Sequence, residues 1–200
     1  MLVHDHMTRH VVTASPDTPI DEALRLLREH EIRQLPVVAD KRLVGIVTER
    51  DLRRAGEGDR VADVMTREPV TIGGVASFDE AAKLLRENKF NALPVVQDDE
   101  LVGIVTTADV LAVFVTLSGV AEPSYRIVLK APMTSGTTAK IRQLIEAKHG
   151  EVLWLHRGSG KHREQLHVRL KARDIEEITL GLESAGFEVP TVVARPAGKT

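Results

Sequence analysis

Residues 35–51 read LPVVADKRLVGIVTERD, and residues 93–109 read LPVVQDDELVGIVTTAD. These stretches belong to a longer internal repeat, because residues 5–55 align with residues 63–113 without a gap and are identical at 25 of 51 positions. In each stretch two β-branched runs flank a short polar turn, which predicts a β-hairpin. The sequence therefore predicts the same structural unit twice in the first 115 residues.

Helices are predicted on both sides of each hairpin. Before it, residues 20–30 and residues 78–88 place apolar side chains at helical spacing. After it, a second helix is expected to begin near Glu49 and near Thr107. One such unit would leave a sheet face uncovered, so the two copies should pack together as one domain. An opening strand completes each βαββα unit, and these strands are expected at residues 11–13 and 70–72.

The repeated motifs resemble the CBS motif, whose tandem pairs form the regulatory unit called a Bateman module. The resemblance rests on DHMTRHVVT, IRQLPVV and GIVTERD in the first copy, and on DVMTREPVT, FNALPVV and GIVTTAD in the second. It covers residues 3 to about 116. The expected organisation is therefore one CBS motif at residues 1–58 and a second at residues 59–118.

A ligand site is implied by this resemblance. In the CBS family a G-h-h-[ST]-x-x-D stretch often holds an adenosine nucleotide or a related adenosyl compound, with the acid on the ribose hydroxyls. A carboxylate can accept two hydrogen bonds from a vicinal diol, and a glycine lets a ligand approach the backbone. Carried onto this chain, the stretch is Gly45, Thr48 and Asp51, and again Gly103, Thr106 and Asp109.

The two implied sites differ in charge. Family members often place a basic residue toward the phosphates just before Leu-Pro, where the first copy has Arg33 and the second has Asn91. We expect the site of Arg33 and Asp51 to favour a phosphorylated ligand such as ATP, ADP or AMP. The site of Asp109 would favour S-adenosylmethionine or stay empty. The complete set of expected nucleotide-binding residues is Thr13, Arg33, Pro36, Gly45, Thr48, Asp51, Thr71, Asn91, Pro94, Gly103, Thr106 and Asp109.

A purely structural interpretation covers some of the same residues. A threonine followed three residues later by an acid at a helix start is also a capping box. Thr48 would then be the N-cap with Asp51 as its partner, and the second copy would repeat this arrangement. Arg33 would be a solvated surface arginine.

A different pattern begins after a linker at residues 118–124, and the third expected domain covers residues 119–200. It reads as strand, helix, two strands around the turn GSGK, helix and strand. This βαββαβ order is the split βαβ or ferredoxin-like arrangement, so the expected fold class of the chain is α+β. By order and size the domain resembles an ACT domain, and the combination of CBS, CBS and ACT resembles the AcuB-type proteins named for acetoin utilisation.

ACT domains often bind amino acids at interfaces between copies. The resemblance implies Gly136 as the candidate amino-acid-binding residue. ACT domains commonly carry an acidic or amide residue and then Pro-Gly between the first strand and helix, and that acidic or amide residue is missing from APMTSG at residues 131–136. Packing and dimerisation through the sheet is the alternative use of this domain.

Composition argues against several functions. The formal net charge is −2, with Lys and Arg scattered among acids, which does not favour nucleic acid as a partner. The chain has no cysteine, which excludes disulfides and thiolate metal sites. No run approaches eighteen apolar residues, so we expect no membrane segment and a cytoplasmic protein. His4, His6 and His10 lack an acidic or thiolate ligand at suitable spacing, so no metal site is expected.

The leading functional hypothesis is a non-catalytic sensor. An adenosyl ligand would bind between the paired CBS motifs, require no cofactor, and pass a signal through the ACT-like domain to an unidentified regulated protein. No Ser/His/Asp arrangement indicates an active site. The alternatives are a ligand-free scaffold or dimerisation protein and an amino-acid sensor acting through the ACT-like domain. CBS pairs and ACT domains both tend to self-associate, so a homodimer is expected.

Overall fold

The computed structural model describes residues 1–131 and 134–195 and divides the chain into two compact units, Met1–Leu111 and Ala112–Thr200. Pro132 and Met133 of the APMTSG stretch lie outside the described residues. In the described part of the chain, no helix combines the length and the apolar character needed to cross a membrane.

The first repeat contains the predicted hairpin between two short helical regions. Its hairpin turn has positive φ at both Asp40 and Lys41, the backbone combination that matches the twist of two-residue β-hairpins. The second predicted helix does begin at Glu49 but is only four residues long. The elements are α1 (Val3–His6), α2 (Ile20–Glu29), β1 (Gln34–Ala39), β2 (Arg42–Thr48) and α3 (Glu49–Leu52).

The second repeat has the same hairpin and a longer final helix. Asp98 and Asp99 again have positive φ at the turn, and the last helix begins at Thr107 as predicted. The elements are α4 (Val61–Val64), β3 (Thr66–Arg67), β4 (Ile72–Gly73), α5 (Phe78–Asn88), β5 (Ala92–Gln97), β6 (Glu100–Thr106) and α6 (Thr107–Leu117).

The prediction of an opening strand at residues 11–13 was wrong. Only Ala14 pairs with β1, through its N–H to the Pro36 carbonyl at 3.0 Å and its carbonyl to the Val38 N–H at 2.9 Å. A turn closed by the Ser15 N–H and Thr18 Oγ1 follows at once, so the pairing does not extend. In the second repeat the observed strand is β4, which runs parallel to β5 and overlaps the range predicted at residues 70–72 only at Ile72.

The two repeats share one sheet by exchanging short segments. Thr8 at the start of the first repeat forms two reciprocal 2.9 Å backbone hydrogen bonds with Ile104 of the second. In the equivalent exchange, Thr66 on β3 pairs with Ile46 on β2. The hairpins meet where Arg42 lies opposite Glu100, and the resulting strand order is β1-β2-β6-β5-β4 with β3 beside β2.

The second unit has the predicted βαββαβ order. Its four strands form an antiparallel sheet in the order β10-β7-β9-β8, and the helices bury Ile141, Ile145, Ile178 and Leu182 against one sheet face. A 3-10 turn lies in the hairpin connection where GSGK was predicted to turn. The elements are β7 (Ser124–Lys130), α7 (Thr137–Glu146), β8 (Glu151–Arg157), β9 (Gln165–Lys171), α8 (Ile175–Ser184) and β10 (Glu188–Arg195).

Candidate functional site

A cavity of about 410 Å³ lies between the two repeats. Its size falls in the range of small-molecule sites. Among the expected binding residues, Arg33, Pro36, Asn91 and Thr106 line it. The other lining residues are not among those predicted from the sequence, and they are Thr8, His10, Val11, Val12, Glu31, Ile32, Gln34, Ile104, Thr107 and Ala108.

Arg33 and Asn91 occupy equivalent positions on the cavity wall. The carbonyl of Arg33 accepts a 3.0 Å hydrogen bond from the Glu49 N–H, and the carbonyl of Asn91 accepts one of the same length from the Thr107 N–H. These bonds fix the backbone just before each hairpin to the start of the following helix. The Arg33 side chain is exposed, and no ion pair or side-chain hydrogen bond joins it to another described residue. Its five N–H donors therefore remain available to an anion.

Both helix starts have the predicted capping geometry. Thr48 Oγ1 donates to Asp51 Oδ2 at 2.6 Å, and the Thr48 N–H donates to the same oxygen at 3.0 Å. For Thr106 and Asp109 both distances are 2.7 Å. Among the described residues, each of these hydrogen bonds is accepted by Oδ2 of the carboxylate. Capping therefore leaves Oδ1 of Asp51 and Asp109 as a hydrogen-bond acceptor, so the structural and ligand-binding interpretations are compatible.

The structure gives Gly45 and Gly103 a packing role. A Cβ on Gly45 would lie 2.6 Å from Met65 Sδ and 3.0 Å from the Thr66 carbonyl. A Cβ on Gly103 would overlap Met7 Sδ in the same way. Each glycine thus accommodates the methionine that begins the other repeat's exchanged segment. The resemblance to the CBS motif instead predicts that these glycines let a ligand approach the backbone.

The remaining expected residues do not line this cavity. Thr71 lines a separate cavity of about 320 Å³ that also includes Arg42 and Asp99. Pro94 is buried within β5, and Thr13 is half-buried beside the single bridging residue Ala14. Gly45, Thr48, Asp51, Gly103 and Asp109 are also absent from the cavity lining.

The cavity is lined by residues of both repeats, whereas the sequence predicts one site within each repeat. Arg33 of the first repeat lies on the same cavity as Thr106 of the second, whereas the sequence predicts a site that contains Arg33 and Asp51. The physical reason is the segment exchange, because pairing of Thr8 with Ile104 brings residues 10–12 to the end of β6. Asp109 does not line the cavity itself, but its carboxylate accepts a hydrogen bond from Thr106, which does.

The candidate amino-acid-binding residue lies in the second unit. Gly136 lines a cavity of about 390 Å³ in the second unit with Thr134, Thr137, Lys140 and Phe187. Gly136 has φ of 95° and is the N-cap of α7. Within the described residues, no three His, Asp or Glu side chains are arranged to hold a metal ion.

Comparison with known proteins identifies the family of the repeats. A family model described as the CBS domain matches residues 3–58 and 61–116, more than half of the chain. The chain belongs to the CBS-domain family. An inosine-5'-monophosphate dehydrogenase from Korarchaeum cryptofilum is 46% identical over 104 residues, which are 51% of this chain and 22% of that enzyme. The CBS-domain chain thus spans about a fifth of that dehydrogenase's length.

Solved CBS pairs are similar to the first part of the chain. CBSX2 of Arabidopsis thaliana in complex with AMP is 34% identical with a TM-score of 0.53, covering 57% of this chain and 96% of CBSX2. The CBS pair of protein MJ0100 in complex with 5'-methylthioadenosine and S-adenosyl-L-methionine is 32% identical with a TM-score of 0.54, covering 57% and 95%. AcuB of Vibrio cholerae, named for acetoin utilization, is 32% identical with a TM-score of 0.56, covering 61% and 96%.

Proposed function

We propose that this CBS-domain protein is a non-catalytic regulator that binds an adenosyl ligand in the cavity between its repeats. The observation that carries the proposal is the guanidinium of Arg33, which lies on a cavity of about 410 Å³ without an acidic partner among the described residues. A phosphate would supply that partner, and Arg is suited to phosphate by its planar fork of donors.

The cavity wall suits the other parts of an adenosine nucleotide. Val11, Val12 and Ile32 provide apolar surface for a base. The helix start at Thr106 carries the Asp109 carboxylate, whose Oδ1 can accept from ribose hydroxyls. The similar structures of CBSX2 and MJ0100 are complexes with adenosyl ligands, which supports this ligand class.

We place the phosphorylated ligand with Arg33 and Asp109, thereby replacing the pairing of Arg33 with Asp51. AMP, ADP or ATP would bind in this cavity. S-adenosylmethionine, which carries no phosphate, would fit better at the equivalent position beside Thr48 and Asp51. This division depends on the guanidinium of Arg33, which lies on the same cavity as Thr106.

Ligand binding would regulate the protein by shifting the populations of two arrangements of the repeats. A ligand that prefers one arrangement of the repeats shifts the equilibrium by its difference in affinity, typically about 1–3 kcal/mol. We propose that the second unit, as an ACT-like domain, transmits this change within a homodimer to a metabolic partner. Similarity to AcuB suggests acetoin utilisation as one metabolic setting.

The test is a thermal-unfolding screen with ATP, ADP, AMP and S-adenosylmethionine. A ligand at about 100 times its Kd adds roughly 2.7 kcal/mol to the state it binds, which raises Tm by several degrees. Ala108→Trp places a large side chain on the cavity wall and should remove the shift. Ala112→Trp is the matched control, because Ala112 is also an exposed alanine of α6 but does not line the cavity.

The outcomes separate the candidate functions. A nucleotide shift that is lost in Ala108→Trp and kept in Ala112→Trp supports the sensor. Equal shifts in both variants would place the ligand elsewhere. If no adenosyl compound changes Tm, a ligand-free scaffold becomes the better description.

An amino-acid sensor is the second candidate because Gly136 lines a cavity of about 390 Å³. The side chain of Lys140 lies over the Phe187 ring, 5.4 Å from its centroid, on the same cavity. The same unfolding screen run with amino acids tests this candidate. A Tm shift that Gly136→Val removes and Ala108→Trp retains would support it.

A further inference from the structure

The face of the C-terminal sheet opposite α7 and α8 carries cationic and aromatic side chains. Ile127 and Leu129 of β7 and Val168 of β9 point into the helix-covered core. Because side chains alternate along a strand, Arg126 and His167 lie on the opposite face. This face therefore carries charged and polar side chains beside the buried Val128, which lies opposite His167, whereas the hydrophobic core lies on the helix side.

Strand register arranges these side chains in two rows. In the first row, Arg169 on β9 lies opposite Arg126 on β7 and opposite Trp154 on β8. In the second row, His167 on β9 lies opposite His156 on β8. Trp154 and His156 are stacked, with ring centroids 5.3 Å apart and an angle of 18° between planes.

This arrangement sets like charges against each other. Directly opposed side chains on antiparallel strands have Cβ atoms about 4.5–5.5 Å apart, and like charges at such positions are destabilising. Arg126 and Arg169 are such a pair, and His156 with His167 becomes one when protonated. Arg169 donates to Ser124 Oγ at 3.1 Å, but among the described residues no carboxylate forms an ion pair with Arg126.

A cavity of about 340 Å³ lies over these rows. Phe114, Ser118 and Val120 form the wall that faces the sheet. None of the described residues that line the cavity is acidic. Gly119 brings this wall close to the sheet, because a Cβ there would lie 2.9 Å from Leu153 Cδ1. The cavity is thus formed by the sheet and by the segment that precedes β7.

We propose that this cavity binds a small planar anion with at least two negative charges, held by Arg126 and Arg169 and stacked against Trp154. Carboxylates and phosphates on an aromatic or heteroaromatic ring have this chemistry. The ligand would neutralise Arg126 and cover the half-buried indole. The site is independent of the nucleotide cavity and would give the protein a second input.

Protonation should strengthen binding. Burial lowers the pKa of His167, and Arg126, His156 and His162 lower it further. Arg169 also faces this cavity, on the same strand as His167. A bound anion favours the protonated imidazole and would therefore raise the pKa of His167 again. Affinity should therefore rise as the pH falls from about 8 to about 6.

The test uses the only tryptophan of the chain as its own reporter. Benzene-1,3-disulfonate is a dianion on a planar aromatic ring, and its charge is constant over this pH range; benzyl alcohol is the neutral control. Trp154 fluorescence emission should change and reach a plateau as the disulfonate concentration rises. It should not change with the alcohol. Arg126→Gln should weaken the apparent Kd at least tenfold, about the value of one charge-assisted hydrogen bond.

Arg142→Gln is the matched variant, because Arg142 is on α7 on the other side of the sheet. It should bind like the wild type, and both variants should keep the wild-type circular dichroism. The His156→Gln/His167→Gln double variant should lose the pH dependence.

The proposal fails if emission does not saturate or if Arg126→Gln binds as tightly as Arg142→Gln. It also fails if Trp154 emission follows protein concentration and ignores the disulfonate, since a second copy of the chain would then cover this face. The probe contains no adenosine, so these outcomes do not depend on the nucleotide cavity.

Discussion

In the first repeat Thr48 Oγ1 lies 2.6 Å from Asp51 Oδ2, and in the second the equivalent distance is 2.7 Å. The residue before each hairpin is also tied to the following helix by the same 3.0 Å backbone bond, but it is Arg33 in one repeat and Asn91 in the other. Interactions that hold each repeat together are duplicated, whereas the charge presented to the cavity is not. The proposed preference for a phosphate therefore depends on Arg33, which lies outside the contacts that the two repeats share.

The largest expected effect concerns the duplicated packing. Gly45→Ala and Gly103→Ala would each force a methyl group against a methionine and a backbone carbonyl, and overpacking of this kind costs about 1–3 kcal/mol. Denaturant unfolding should show losses of similar size in the two variants. Gly73→Ala is the control, since nothing lies within 4 Å of a Cβ there. Losses no larger than that of the control would mean that the methionines do not pack against these glycines.

Substitutions at the two helix caps distinguish a role in stability from a role in ligand binding. Asp51→Ala and Asp109→Ala should each destabilise the protein by about 0.5–2 kcal/mol, because each removes the same capping bonds. Only Asp109→Ala should also reduce the stabilisation by AMP, because Thr106 lines the cavity of Arg33. Thermal unfolding with and without AMP measures both effects. Loss of the AMP response in Asp51→Ala alone would instead restore the grouping of Arg33 with Asp51.

The smallest effect is expected from making the second repeat resemble the first. Asn91→Arg adds a second guanidinium to the cavity wall and should tighten ATP binding several-fold at low salt, with less gain at high salt. Calorimetric titration at two salt concentrations measures this change. Glu87→Gln serves as the control, because it raises the net charge by the same amount at an exposed position of α5. Equal tightening in both variants would indicate only a general charge effect.

The sequence was sufficient to predict the hairpins, the main helices and the helix starts, because their signals are local. The segment exchange was not predictable in the same way. Thr8 could pair with Ile46 or with Ile104, since both copies contain the identical string GIVT and present the same backbone. The choice of Ile104 depends on the path of the whole chain, and this choice puts Arg33 on the cavity of Thr106.

The short first strand was mispredicted for a related reason. Val11 and Val12 have the β-branched character of a strand, but they line the cavity instead of joining the ladder. In the second unit, the element order followed from periodicity. The rows of Arg126, Arg169 and Trp154 required the strand register, which the loop lengths alone do not specify.

The central claim is that Arg33 binds the phosphate of an adenosine nucleotide, and calorimetric titration of AMP and adenosine into wild type and Arg33→Asn tests it most directly. This variant gives the first repeat the residue of the second, and the exposed Arg33 side chain has no described partner to lose. Wild type should bind AMP at least about tenfold more tightly than adenosine, and the variant should bind both equally. An unchanged AMP preference in Arg33→Asn, or no binding of either compound to wild type, would contradict the account.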